Sequence, residues 1–448
     1  MLPLTSIGLA ALLAAGTSAV PSSSTKAACQ EIAAAVPKRV WSSQLSPNYF
    51  SEVNSYWSTA LRDAKPACLV LPQSAQEVAA AVKILNKYPD VLFAVKSGGH
   101  TPNERHSSIK DGVLISTRDL SGTTYDKETG IASVKPGGEW NDVIGELGKQ
   151  GVAIVGGRLA DGTIRNIDAS KEPELAVALR GSGSQFGIAT QFKVKAYPIG
   201  QVWGGMRMYD GGKADEIYAA LHNFVPGNAE EEKAAIILTD ITAIGGAKLF
   251  LIFYFYEAPK PPTTGPLAQF LNIGSIIDTT STKSYSSLTY TLPYVKDAPH
   301  MYREISDKFS SLLADILKNP LRLASQCSID FQPFGAVIGK HSEERGGNAM
   351  GISGSDPDRI LLEVQCSWSS AGDDKVFREA SKKLTDWLEI KVPEWTKGRE
   401  FYLPYLMNDA AGDQNVTGTY RGYGKFKALQ AEMDPQGFFK QRGGGFVY

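Results

Sequence analysis

Between residues 67 and 97 the hydrophobic period changes twice. The run "ACLVLP" is short, continuous and apolar, which predicts a strand buried on both faces. In "SAQEVAAAVKILNKYP" the apolar residues Val78, Ala81, Val82 and Leu85 recur at three and four, one face of a helix. Ser74, followed three residues later by Glu77, has the form of a capping box at its start. "DVLFAVKS" returns to the strand pattern, so the stretch predicts a β–α–β unit. Its second strand leaves through "SGGHTPNERHSS", where Gly98 and Gly99 permit a sharp turn and His100 follows. The end of a buried strand in such a unit is a common place for a ligand, and N–H groups freed in a glycine turn can hold phosphate oxygens.

Further along, "GVLIST" reads as a strand and "TTYDKETGIASVKPGG" as a hairpin turning at residues 128–130. "EWNDVIGELGKQG" reads as a helix with Val143, Ile144 and Leu147 inward and Gly151 just past its end. "VAIVGG" is a strand, and "RLADGTIRN" carries an Asp161-Gly162 hairpin turn. "EPELAVALR" is a helix running into "GSGSQFG", and "IATQFKVKAYP" is the next strand. After Gly200 the pattern changes. "AAIILTD", "KLFLIFYFYE" and "RILLEVQCSW" read as strands, with helical periodicity around 213–224, 264–271, 300–317 and 374–388, which describes a second α+β unit. The last fifty residues are rich in glycine and aromatic residues.

Composition adds limits rather than a function. The 448 residues suffice for two domains or more. A hydrophobic fraction of 43% with 21% charged residues describes a globular chain, and a formal net charge of −1 gives no field for nucleic acid. The 44 glycines cluster near 97–99, 137–138, 156–157, 181–187 and 443–445, as tight loops around a bound group would. "MLPLTSIGLAALLAAGTSA", residues 1–19, predicts a secretory signal cleaved after Ala19, although it lacks Lys and Arg at its start. No later stretch has eighteen consecutive apolar residues, so no membrane span is expected. Secretion permits disulfides. Spacing leaves three pairings of the four cysteines open; Cys29 and Cys68, both near the mature N-terminus, are the expected pair, closing a loop worth roughly 4 kcal/mol in the chain-entropy model. Cys327 and Cys366 sit in apolar surroundings and are expected to be buried free thiols. Asn415-Val416-Thr417 is a glycosylation sequon.

Neither glycine loop carries a standard nucleotide motif. "SGGHTPN" lacks the Lys-Ser/Thr of a P-loop, and "GSGSQFG" follows a helix instead of opening one. His100 and His106 have no third ligand near them in sequence, so no metal is expected. On the residues alone, His100 could be a loop hydrogen-bonder, His106 a solvated loop residue and Tyr405 part of a core.

"FAVKSGGHTPN", "GVLIS", "ASVKPGGEWNDV", "GSGSQFGIAT" and the tail "YRGYGKFKALQAEMDPQGFF", in this order, resemble the berberine-bridge-enzyme-like flavoproteins, secreted oxidases of the vanillyl-alcohol-oxidase type, over most of residues 60–448. Fungal members acting in secondary metabolism are the most similar. The resemblance implies an α+β, two-domain PCMH-type FAD-binding fold with a substrate domain of antiparallel sheet covered by helices. It divides the chain into an N-terminal segment at 20–62, an FAD domain at 63–200, a substrate domain at 201–395 and a segment at 396–448 returning to the FAD domain. It implies FAD bonded through His100 to the flavin 8-methyl carbon. Gly98, Gly99, Thr101, Asn103, Ser107 and Ser108 would surround the pyrophosphate. Gly183, Phe186, Gly187 and Ile188 would line the flavin and its adenosine arm, with Tyr405 and Asn408 beside the ring and Tyr405 the candidate base. The implied partners are a small natural-product substrate and O2, with hydride leaving a C–H bond next to oxygen or nitrogen. In the family, however, "GVAIVGGR" is followed by a long glycine-rich segment against the flavin, carrying in some members a second anchoring cysteine. Here it runs directly into "LADGTIRN", so a wall of the pocket is expected to be missing after Arg158. Rival readings are a secreted, flavin-poor remnant of the fold that does no catalysis, and a carbohydrate oxidase.

Overall fold

The computed structural model describes residues 21–56, 58–154, 167, 169–227, 231–243, 246–283, 291–293, 298–322 and 325–448. Residues 1–19, the Asp161-Gly162 turn and the junction at Arg158 lie outside the described residues.

The β–α–β unit forms, with one addition. Strands Cys68–Val70 and Phe93–Lys96 do not pair with each other; both run parallel to Val113–Ser116, which lies between them, and Val40–Trp41 completes a four-stranded sheet. Every residue of Val113–Ser116 is buried, as its central position requires. The connecting helix, Ala75–Leu85, buries Val78, Ala81, Val82 and Leu85 against Phe93, Val113 and Ile115. Its start is capped one residue wider than a standard box: the Glu77 N–H donates to Ser74 Oγ (3.2 Å), and the Glu77 carboxylate accepts from the N–H of Gln73 (2.6 Å). Helix Ser23–Ala35 packs on the same core, tied to the sheet by the Cys29–Cys68 disulfide with Cα atoms 6.0 Å apart.

A second four-stranded sheet is antiparallel, in the order Thr123–Asp126, Ile131–Val134, Phe192–Pro198, Val152–Ile154. Helix Trp140–Gly148 buries Val143 and Leu147 against it, and Ile144 is half-buried.

The third sheet is the largest and wholly antiparallel. Its central order is Val202–Asp210, Lys248–Tyr256, Ala234–Thr242, Gln326–Phe334, Arg359–Ser367, with short strands at both edges. Alternation gives it two unlike faces. Leu238, Phe250, Ile252, Phe331, Ile360 and Leu362 point to one side, into a core shared with helices Ala214–Gly227, Met301–Leu317 and Asp374–Trp395. The other face carries polar residues from the central strands. Two of the five strands, Val202–Asp210 and Gln326–Phe334, are absent from the sequence reading. The first is broken by Gly204 and Gly205, and Gly204 leaves no room for a Cβ beneath the Tyr254 carbonyl. The second alternates apolar residues with Ser328, Asp330 and Gln332.

That second strand overturns the free-thiol expectation. Cys327 and Cys366 are directly opposite each other on neighbouring strands, with Cα atoms 4.1 Å apart, and form a disulfide. Two cysteines that read as separate buried positions become cross-strand neighbours once residues 326–334 are a strand. Among the described residues no helix is long and apolar enough to cross a membrane.

Candidate functional site

The strand Phe93–Lys96 ends in a turn supported from below. Gly99 has φ +71°, and a Cβ there would stand 2.7 Å from Lys96 Cε and 3.0 Å from the Tyr56 ring, so the position requires glycine on both counts. Lys96 and Glu52 are each 2% exposed. Lys96 Nζ donates to Glu52 Oε1 (2.6 Å), to Ser55 Oγ (2.6 Å) and to the Glu52 carbonyl (2.9 Å). Ser116 Oγ and Arg118 Nη1 satisfy the same carboxylate at 2.8 and 3.0 Å. Burial pulls the Lys96 ammonium down from its usual range, and Glu52 opposes the shift. Tyr56 packs under Lys96 Nζ (4.4 Å to its centroid) and donates its hydroxyl to the Ser107 carbonyl. A satisfied buried charge network thus fixes both ends of the 97–107 loop.

Three distant segments close around that loop. Asn103 Nδ2 donates to the Ala410 carbonyl (2.8 Å), and the Gly412 N–H donates to Asn103 Oδ1 (2.9 Å). Gly183, at φ +61°, presses where a Cβ would be 2.7 Å from Met407 Sδ. Ser184 Oγ donates to the Gly444 carbonyl (2.9 Å), and Ser182 and Tyr448 share a hydroxyl–hydroxyl bond (2.5 Å). Gly444 has no room for a side chain against the Arg105 carbonyl. The His106 ring meets Phe446 edge-on at 4.8 Å, so His106 is half-buried rather than solvated, and burial lowers its pKa.

The loops hold polar atoms that the protein leaves unsatisfied. Ser107 Oγ, Ser108 Oγ and both amide atoms of Gln185 are buried without a partner among the described residues. Each such atom costs about 1–3 kcal/mol in a folded chain, and their grouping beside glycine turns fits a ligand rich in hydrogen-bonding oxygen, as a dinucleotide pyrophosphate is. Thr101 is half-buried and its Oγ1 accepts from the Asn103 N–H (3.3 Å). Phe186 and Ile188 are buried in apolar clusters, and Gly187 takes φ +133° between them.

His100 is exposed at a cavity of about 280 Å³ lined also by Ser55, Gly98, Gly99 and Gln365. Gln365 lines a second cavity, of about 230 Å³, with Asp330, Gln332 and Glu363 from the polar face of the large sheet. Asp330 lies opposite Thr239 on one neighbouring strand and Glu363 on the other. Gln365 Nε2 donates to Asp330 Oδ2 (2.9 Å), while Gln332, 3% exposed, has no partner for Nε2 among the described residues. Burial pushes Asp330 up to about 6. Glu363 is pushed up to about 8 by burial, then by the charges of Asp409 and Asp330. Asp409 is pushed up to about 7 by burial, then by Asp330. These carboxyls change protonation around neutrality, the range suited to proton transfer. Sequence reasoning missed all of them. For Asp330 and Glu363 the signal was the alternation in "SIDFQPF" and "LEVQ", which places acids and amides on one face of a strand; Asp409, outside any strand, carried none.

The two residues expected beside a flavin ring differ from each other. Tyr405 is half-buried in an apolar cluster, its N–H donates to Thr419 Oγ1 (3.0 Å), and burial, with Glu389, raises its hydroxyl pKa. Asn408 is exposed.

Residues 66–167 match the FAD binding domain family. An FAD-linked oxidoreductase of Arthroderma benhamiae is 30% identical over 464 positions, covering 90% of this chain and 91% of the relative. That alignment is longer than the 448 residues here, so the relative carries residues within it that this chain lacks. The bifunctional solanapyrone synthase of Alternaria solani is 26% identical, with 88% and 82% covered. The crystal structure of berberine bridge enzyme from Eschscholzia californica shares the fold at a TM-score of 0.64 and 15% identity, over 93% of this chain and 98% of that one. With the glycine turns, the unsatisfied loop atoms and the antiparallel sheet in place, the chain belongs to the FAD-linked oxidoreductases and has the PCMH-type fold of berberine bridge enzyme.

Proposed function

We propose that this protein is an oxidase that removes hydride from a C–H bond next to oxygen or nitrogen in a small natural product, with O2 as electron acceptor. The observation that carries the reading is Gln365, which borders both the cavity at His100 and the cavity at Asp330 and Glu363. A substrate on the polar face of the sheet would therefore lie between proton-accepting carboxyls and the turn that presents His100. Gly98, Gly99, Thr101, Asn103, Ser107 and Ser108 would hold the pyrophosphate of FAD, Gly183, Phe186, Gly187 and Ile188 would line its adenosine arm and ring, and His100 would be the covalent anchor. FAD held there would supply the hydride acceptor, and O2 would take the two electrons with two protons as hydrogen peroxide.

Glu363 replaces Tyr405 as the proposed base. A hydroxyl whose pKa is raised by burial is a poor acceptor, whereas a carboxyl pushed up to about 8 is, once ionised, basic enough to take an O–H or N–H proton from substrate, so turnover should rise toward pH 8. Tyr405 and Asn408 then shape the 405–409 segment that carries Asp409. The proposal includes the division at 20–62, 63–200, 201–395 and 396–448, secretion through residues 1–19, and glycosylation at Asn415, whose side chain is exposed.

The test is the purified protein in acid. Flavin should stay with the precipitate in the parent and pass to the supernatant in His100→Ala, and substrate turnover should yield peroxide and product in equal amounts. Flavin released from the parent overturns the covalent anchor; colourless protein overturns the oxidase and favours the flavin-poor remnant.

A further inference from the structure

Lys38-Arg39 is the one place in the 448 residues where an arginine adjoins a lysine or another arginine; the other basic pair, Lys382-Lys383, lies inside helix Asp374–Trp395. The pair sits in the short turn between helix Ser23–Ala35 and the strand Val40–Trp41. Pro37 and Lys38 are exposed, as are residues 33–35 before the turn and 42–45 after the strand, Leu45 at 94%. Lys38 takes φ +64°, a left-handed conformation that costs energy for a residue with a Cβ. The bonds at the turn are few: the Arg39 N–H donates to the Val36 carbonyl (3.3 Å), the Leu71 N–H donates to the Arg39 carbonyl (2.9 Å), and the Arg39 guanidinium meets Gln73 and, at 3.8 Å, Asp119. The strand that follows is two residues long and lies at the edge of its sheet, so opening it locally takes little free energy.

Both sides of the turn are fixed independently of it. Before it, Ala28, Cys29 and Ile32 are buried in the core that holds Phe93 and Val113, and Cys29 is bonded to Cys68. After it, helix Pro47–Asn54 buries Tyr49 and Val53 against Leu69 and Leu114, and the Tyr49 hydroxyl donates to the Pro66 carbonyl (2.7 Å). A break in the chain at the turn would release neither side.

We infer that the bond between Arg39 and Val40 is a processing site for an endoprotease of the secretory pathway that reads paired basic side chains, and that the mature protein is two chains joined by Cys29–Cys68. The inference rests on secretion through residues 1–19. The step is a hydrolysis: one water adds across the Arg39–Val40 amide, leaving a carboxyl group on Arg39 and an amino group on Val40, with no oxidant or reductant. The cut also frees Lys38 from its left-handed φ. It changes what the disulfide does. In the uncut chain Cys29 and Cys68 are joined by the backbone as well; after the cut the disulfide is the sole covalent tie of helix Ser23–Ala35 to the rest. Reduction then lets residues 20–39 leave and uncovers apolar surface beside Phe93, at the start of the strand that leads to the His100 turn.

The experiment compares the full chain secreted by a host that has such an endoprotease with the same chain from a strain lacking it, after enzymatic removal of glycans. Without reductant, the first should have the mass from Val20 onward plus one water, and reduction should split it into residues 20–39 and 40–448. Endoprotease added to the uncut protein should cut once, after Arg39, and not at Lys382-Lys383. Lys38→Gly suits the left-handed φ and removes one of the two bases, so it should fold as well as the parent and be cut about tenfold more slowly or less readily still. Reductant should lower the melting temperature of the cut protein further than that of the uncut one. An amino terminus at Val20 with the Arg39–Val40 bond whole after added endoprotease, cutting only elsewhere, Lys38→Gly cut at the parent's rate, or equal shifts on reduction would overturn the inference and leave secretion standing. Protein that stays in the cell with residues 1–19 in place overturns the secretion reading, and the processing with it.

Discussion

At residue scale, Glu363 concentrates the argument. Burial and the neighbouring acids push it up to about 8, and it lines the cavity on the polar face of the large sheet. Glu363→Gln should keep the shape and lose the proton acceptor, lowering kcat about a hundredfold or more, with flavin content unchanged. The same variant has a stability signature. Because the folded-state pKa, about 8, lies above the ordinary 4.5, the native protein holds a proton that the unfolded chain releases between those values. The carboxyl therefore favours the fold fully below about pH 4.5, and this contribution is lost as pH rises through about 8. The melting temperature of Glu363→Gln should overtake that of the parent progressively over this window; parallel curves would show that Glu363 is not shifted. Gly99 makes the second residue-scale prediction. Gly99→Ala sets a Cβ at positive φ against Lys96, whose ammonium is pinned by Glu52. A loss of about 2 kcal/mol in denaturant unfolding is expected, with reduced flavin content. His100 and the two glycines were legible as a motif. Glu363 was not, because inside "RILLEVQCSW" a lone acid reads as an interruption of an apolar strand.

At the scale of elements, the sequence patterns that worked were those with one clear period. Helix Ala75–Leu85 and the hairpin Thr123–Asp126 with Ile131–Val134 form where periodicity and turn residues agree. The strand Gln326–Phe334 was missed because its alternation mixes acids and amides with Ile329, Phe331 and Phe334, which a count of apolar residues treats as loop. Missing it hid both the carboxyl wall and the partner of Cys366. The Cys327–Cys366 bridge joins two strands already paired over nine residues. Cys327→Ser should cost about 2–4 kcal/mol and loosen the sheet end nearest Gln365. Non-reducing peptide mapping should recover the pair from the parent; free thiols at both positions would remove the bridge from the account.

At the scale of the whole molecule, the site exists because four segments spread between residues 97 and 448 converge: the 97–108 turn, the 182–188 loop, the 405–412 segment and the 443–448 tail. A segment missing after Arg158, as the sequence reading expects, would bear on the same assembly. A flavin ring left open on one side loses about 25 cal/mol for each Å² of apolar surface not buried, so 100 Å² left bare is worth roughly 2.5 kcal/mol, close to a hundredfold in affinity. A family-like segment inserted between Arg158 and Leu159 should therefore raise flavin content and turnover; stoichiometric flavin in the chain as it stands would contradict this. The sequence by itself determined the glycine turn, the histidine it presents, the Cys29–Cys68 pair and the cofactor class, because these rest on local backbone demands and on ordered motifs. Only the tertiary structure decided the carboxyl wall, the second disulfide and the buried Lys96–Glu52 support. Each of these depends on which strands become neighbours and on how far water is excluded between them, and neither strand order nor desolvation is encoded in the period of any one segment.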